Sequence, residues 1–186
     1  MILIGLSGPA GCGKDTAAAA MLACDNSLFW TAFANSLKAG ICTMFGLPTN
    51  IFSNRETKEK IIPEIGKSPR QLAQIIGTEC VRKMISEDAW LFVMKQFIEA
   101  AAKAGIDKLI ITDVRFENEA RFIREQGGTI IHIVRRDVTW NHEGHESERG
   151  IEIMPDDHML TNNSTLDEFK WAAVTIYHNI TKSIVK

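Results

Sequence analysis

At 186 residues with a formal net charge of −2, the chain is long enough for one well-buried core and too short for two comfortable domains. Its 45% hydrophobic and 24% charged content matches an ordinary globular protein, and no apolar run reaches the ~20 residues of a bilayer-spanning helix. Membrane insertion is thereby excluded, and no overall positive charge draws the chain to nucleic acid. The four cysteines, Cys12, Cys24, Cys42 and Cys80, form no CxxC pair, and no basic-then-apolar leader precedes the first glycines, so the expected compartment is reducing cytoplasm.

The chain begins with an apolar strand, Ile2 to Ile4, followed by GPAGCGKDT at residues 8 to 16 and a helix-favouring stretch from Ala17. Strand, glycine turn and helix in that order are the context of a P-loop, and the spacing from Gly8 to Gly13 and Lys14 fits GxxxxGK. Gly8, Gly11 and Gly13 allow the backbone to curl its N–H groups, that of Cys12 included, around an anion at the positive end of the next helix. Lys14 neutralises the β and γ phosphates. The usual hydroxyl after the lysine is replaced by Asp15 and comes one residue later, at Thr16. Asp15 is open to three roles, a direct metal contact, a contact through water or a helix cap, and Thr16 is a candidate phosphate ligand.

Residues 29–34 predict a short strand and 35–45 a helix stopped by Gly46, with Lys38 in its first turn. Residues 49–67 are polar, broken by Pro63 and Gly66, and read as a flap. Ser68-Pro69 starts a helix running to Ile85. At 100° per residue, Arg70, Gln71, Gln74, Thr78 and Arg82 share one face, while Leu72, Ala73, Ile76 and Cys80 lie opposite. Arginine and amides suit phosphate and base edges better than the glutamate and lysine of a merely solvated face. A further helix from residue 86 to 103 is broadly apolar and includes Trp90.

Residues 108–113 are a second buried-strand pattern. Its terminal Asp113 lies at the edge where open α/β sheets bind ligands, a candidate for holding the water shell of a metal ion, and Arg115 can point the same way. A helix over 116–126 and a strand over 129–134 continue the alternation, which predicts a mostly parallel sheet with helices on both faces. Arg135, Arg136 and the polar run to residue 153 form a lid. The HEGHE string at 142 to 146 has its histidines at i and i+3 rather than the i and i+4 of HExxH, which argues against a metal site there. A strand near 158–160 and a final amphipathic helix capped by Thr165 close the core; its stripe runs from Leu166 to Ile184.

These strings, with FANSLK at 33 to 38, SPRQLAQIIGTECVR at 68 to 82, TDVRFENEA at 112 to 120 and HESE at 145 to 148, resemble the deoxynucleoside monophosphate kinases of bacteriophages, a branch of the P-loop nucleoside monophosphate kinases. In that branch the acidic residue after the P-loop lysine is usual. The resemblance implies a three-layer P-loop fold in one domain, with an acceptor region at about 35–90 and a lid at about 135–153. It implies transfer of the γ-phosphoryl group of ATP, with Mg²⁺, to a deoxynucleoside monophosphate in the cytoplasm of a host cell, by a monomer or homodimer that binds neither nucleic acid nor membrane. Mg²⁺ would lie near Asp15, Thr16 and Asp113. Arg70, Arg82 and Arg115 would hold the acceptor phosphate, and Gln71, Gln74 and Thr78 would read base or sugar. Lys38, Asp88 and Trp90, in or beside the matching strings, join the acceptor side, and Arg135 and Arg136 would close over ATP. Two other readings compete: a P-loop kinase for another small acceptor such as dephospho-coenzyme A, and a nucleotide-dependent switch. The polar face of residues 70 to 82 disfavours the first, and the lack of an NKxD string disfavours the second.

Overall fold

The computed structural model describes residues 1–141 and 143–184, the last two by backbone alone. It contains two compact units, Met1–Ala32 with Gln96–Lys186, and Phe33–Lys95. The first unit is built on a five-stranded sheet of β1 (Ile2–Ser7), β2 (Leu28–Thr31), β3 (Lys108–Val114), β4 (Thr129–Val134) and β5 (His158–Thr161). The strand order is β2-β3-β1-β4-β5 and every neighbouring pair is parallel. Parallel neighbours need long crossovers, so the sheet is covered by helices rather than joined by hairpins.

Alternation along β1 decides which helix covers which face. Ile4 and Leu6 point into a core with Ala17, Ala18 and Met21 of α1 (Lys14–Cys24) and Phe169, Ala173 and Tyr177 of α7 (Leu166–Ile184). Gly5 faces the other way, where a Cβ would stand 2.9 Å from Ile123 of α6 (Glu117–Glu125) and 2.6 Å from Ile130. The expected three layers are therefore present. The side chain of Ile184, expected at the end of the α7 stripe, lies outside the described residues.

The register between β1 and β3 shifts near their carboxyl ends. Gly5 pairs with Ile111 and Ser7 with Val114, so β3 takes three steps where β1 takes two. The bulge falls at Thr112 and Asp113, and bulges of this kind re-aim a side chain at a sheet rim.

The second unit is helical. It holds α2 (Ala34–Phe45), a 3₁₀ turn at Thr49–Phe52, α3 (Arg55–Glu59), α4 (Pro69–Gln74) and a π-helical continuation, Ile75–Ile85. From it α5 (Ala89–Lys103) leads the chain back into the first unit. The stretch read as a polar flap thus contains two short helices, one with an N-cap, the Asn54 side chain accepting from the Thr57 N–H at 2.9 Å. The helix from Pro69 starts as expected, with Ser68 and Gln71 in a reciprocal capping box. Its continuation does not keep the α period. Among its bonds, Ser86 N–H reaches back five residues to the Val81 carbonyl at 2.9 Å.

Candidate active site

The turn after β1 has the geometry of an anion cradle. Gly8, Gly11 and Gly13 have φ of 151°, 83° and 113°, the region that favours glycine. At Gly8 a Cβ would lie 2.6 Å from both the Cys12 sulfur and the Ile133 carbonyl oxygen, and at Gly13 it would lie 2.6 Å from Asn162 Nδ2. Backbone angle and close approach therefore exclude any side chain at both positions. Cys12 N–H closes the turn on the Pro9 carbonyl at 3.2 Å.

Lys14 Nζ donates to the Gly8 carbonyl at 2.6 Å and the Pro9 carbonyl at 2.9 Å, and stands 3.8 Å from the Cys12 sulfur. Burial, aided by the nearby Arg115 charge, lowers its affinity for the proton, while Cys12, Asp15 and Asp113 act in the opposite sense. Burial pushes the Cys12 thiol up, with Lys14 opposing. Asp15 is not the helix cap. The cap is Gly13, in the left-handed conformation and with no side chain to offer, and Asp15 lies exposed in the first turn of α1. Thr16 is half-buried beside it.

Asp113 ends the bulged part of β3, and the N-terminal cap position of α6 is Phe116. The buried Glu119 carboxylate accepts the Arg115 N–H at 2.8 Å and the Phe116 N–H at 3.2 Å. This fixes the chain as it leaves the sheet. Arg115 Nη1 donates to the Ser147 carbonyl at 3.4 Å. Gly8, Pro9, Ala10 and Arg115 line one pocket together with Thr139, Trp140, Asn141, Ser147 and Glu148. Trp140 is seated on Gly150, where a Cβ would meet the indole at 2.7 Å.

Arg135 is exposed and its Nη1 donates to the Gly11 carbonyl at 3.4 Å. Arg136, also exposed, donates its N–H to Asn163 Oδ1 at 2.7 Å. In the HEGHE string, His145 Nδ1 accepts the Ser147 N–H at 3.2 Å and lies 2.9 Å from Ser147 Oγ; His142 lies outside the described residues. Among the described residues no group of three or more His, Cys, Asp or Glu side chains could hold a metal ion.

In the helical unit the expected polar face is rearranged. Thr78 and Arg82 are 4% and 6% exposed, whereas Gln71 and Cys80 are exposed. The 100° projection fails because a π-helix turns by less per residue, so positions beyond Ile75 rotate out of phase with Pro69–Gln74. Gln71 Oε1 accepts the Ser68 N–H at 2.9 Å as part of the capping box. Arg70 pairs with Glu59 at 3.0 Å, and Arg82 Nη2 donates to Glu87 at 3.4 Å. Gln74 and Lys38 are half-buried, and Asp88 is exposed. Trp90 Nε1 donates to the Gly77 carbonyl at 2.9 Å, which ties the indole to the π-helical segment.

Asn162 escapes the sequence reading. Its Nδ2 donates to the Cys12 carbonyl inside the P-loop at 2.8 Å. The only available signal is an Asn pair directly after a predicted strand, at the sheet edge where ligands bind.

The deoxynucleotide monophosphate kinase family model matches residues 49–172. A protein of Acanthamoeba polyphaga mimivirus, assigned as a deoxynucleotide monophosphate kinase, is 33% identical over 91% of this chain and 92% of its own length. The deoxynucleoside-5'-monophosphate kinase of Escherichia phage T5 is 34% identical over 58% of this chain and 44% of its own. The deoxynucleotide monophosphate kinase of Enterobacteria phage T4 is 30% identical over 54% and 42%. Among solved structures, dephospho-CoA kinase from Campylobacter jejuni aligns over 97% of this chain and 98% of its own with a TM-score of 0.54 at 12% identity. A Janibacter sugar kinase aligns over 94% and 93% with a TM-score of 0.51 at 16% identity. Both share the fold alone. With the family model covering most of the chain and a relative aligned nearly end to end, this chain belongs to the deoxynucleotide monophosphate kinase family, an enzyme of deoxynucleotide metabolism for which the family implies ATP as a substrate.

Proposed function

We propose that the first unit holds the ATP phosphates and that the enzyme transfers the γ-phosphoryl group to the 5'-phosphate of a deoxynucleoside monophosphate, giving ADP and a deoxynucleoside diphosphate. The observation that carries this reading is Lys14, seated in a three-glycine cradle with Asp15, Asp113 and Arg115 close enough to act on its charge. Phosphoryl transfer needs positioning and charge neutralisation and no covalent intermediate from the protein. Lys14 and the loop amides bind the β and γ phosphates. Arg115, facing the pocket beside Gly8, meets the acceptor phosphate, and Arg135, already in contact with the Gly11 carbonyl, neutralises charge as it develops. Arg70 and Arg82 are the acceptor-side cations, and Gln74 and Thr78 read base or sugar.

Mg²⁺ suits this donor set. Two carboxylates, Asp15 and Asp113, and the Thr16 hydroxyl are hard oxygen ligands, and Mg²⁺ is commonly held by one or two carboxylates plus substrate phosphates rather than by an all-protein cage. When bound it neutralises the β and γ oxygens.

The test is a coupled ADP-release assay with ATP and Mg²⁺, adding dAMP, dCMP, dGMP, dTMP, their ribose counterparts and dephospho-coenzyme A one at a time. Release with one or more deoxynucleotides, well above the ribonucleotides, is expected. Release with dephospho-coenzyme A alone, or with none in protein that binds ATP, would overturn the acceptor assignment.

A further inference from the structure

We infer that Asn162 is a positioning residue that fixes the direction of the Gly13 amide, and through it the phosphate grip. The inference rests on reading the P-loop as the donor phosphate site. A peptide group is planar and trans, so its C=O and the following N–H point in opposite directions. Asn162 Nδ2 holds the Cys12 carbonyl at 2.8 Å, and the Gly13 N–H belongs to that same peptide. Anchoring the carbonyl on the β5 side therefore turns the Gly13 N–H the opposite way, away from β5.

That peptide needs an external hold. It precedes Gly13, whose φ of 113° is flanked by other conformations a glycine adopts at little cost. α1 holds Gly13 from its other side, the Ala17 N–H donating to the Gly13 carbonyl at 2.9 Å, but the helix begins at Lys14 with no side-chain cap at Gly13. Asn162 is itself rigidly placed. Its own N–H donates to the Val134 carbonyl at 2.8 Å, which joins the ends of β4 and β5, and the adjacent Asn163 takes the Arg136 N–H. The fit is mutual, since Asn162 Nδ2 occupies the space that a Cβ on Gly13 would need.

Two substitutions separate this role from simple packing. Asn162→Asp is nearly isosteric but replaces the donor with a carboxylate oxygen facing a carbonyl oxygen, whereas Asn162→Ala removes the bond and leaves space. In steady-state kinetics with ATP and the best deoxynucleoside monophosphate, Asn162→Asp raises KM for ATP about tenfold or more, as loss of one phosphate-orienting contact allows, while the acceptor KM stays within about twofold. Asn162→Ala shows the same asymmetry to a lesser degree. Hydrogen exchange at the Gly13 amide supplies a readout that packing alone does not move: in the wild-type protein, ATP slows it, and in Asn162→Asp it does not.

An Asn162→Asp enzyme with wild-type KM for ATP, or one in which both KM values rise together, would overturn the inference. Failure of the underlying reading looks different. If Lys14→Ala keeps its turnover, the P-loop assignment itself is wrong; if Lys14→Ala is inactive while Asn162→Asp is unaffected, only the role of Asn162 is.

Discussion

Lys14 donates to two carbonyls of its own loop, so on the proposed reading phosphate binding would exchange backbone oxygens for anionic ones, whose charge offsets the burial that weakens its hold on the proton. Replacing Lys14 with Ala is expected to lower turnover by about 10²-fold or more, the usual scale for losing a preorganised charge at the reacting phosphate. The melting temperature should stay within a few degrees of the wild type, since the lysine is not part of the hydrophobic core. Steady-state rates and a thermal melt of that variant check both statements. On the acceptor side, Arg82→Lys keeps the charge but loses the planar fork. It should raise the acceptor KM about tenfold, the worth of one charge-assisted hydrogen bond, with KM for ATP unchanged. A loss of ATP affinity instead would place Arg82 on the donor side.

The π-helical segment Ile75–Ile85 is the element that sequence periodicity misreads. Apolar spacing assigns faces only after a period is assumed, and 3.6 residues per turn holds through Gln74 and then fails. What marks the change lies elsewhere in the chain: Leu37, whose Cδ2 lies 2.6 Å from where a Gly77 Cβ would be, and Trp90, whose N–H donates to the Gly77 carbonyl. Strand, glycine turn and helix at residues 2 to 24 were legible for the opposite reason, because every requirement of the motif is local. The bulge at Thr112 and Asp113 was not, since register belongs to a strand pair and not to one strand. Trp90→Phe keeps the ring and removes the hydrogen bond. We expect a stability loss of about 1 kcal/mol and a drop of roughly 2–4 °C in melting temperature. The acceptor KM should rise with no change in KM for ATP, which a melt and two substrate titrations would establish.

At the scale of the whole molecule, Asp25, Asp157 and Tyr177 are among the groups that make stability depend on pH. Asp25 is held well below the ordinary 3.8 by Lys108, Ser27 and Tyr177. At Asp157 burial acts upward, but Arg124, the Met154 N–H and His132 outweigh it, and the carboxyl is lowered. A lowered carboxyl stabilises the fold above its unfolded pKa, and that contribution is lost as pH falls through the folded value, hence below 3.8. Tyr177 moves the other way, pushed above its ordinary 10.0 by burial and then by Asp25. Its contribution is complete below 10.0 and is lost as pH rises beyond it. Melting temperatures should therefore decline outside these limits, and Tyr177→Phe should lower the plateau while flattening the alkaline limb. An unchanged alkaline limb in that variant, followed by calorimetry across pH, would remove Tyr177 from the account.

The strand order β2-β3-β1-β4-β5 also bears on how the enzyme is made. The P-loop is synthesised before both strands that flank β1, which follow the helical unit in the chain, and before Asn162, which meets the Cys12 carbonyl. A nascent chain stalled before residue 158 therefore carries the whole phosphate-binding motif without the sheet edge that shapes it. Such chains should not be retained on immobilised ATP, and nucleotide binding should appear only once β5 has left the exit tunnel.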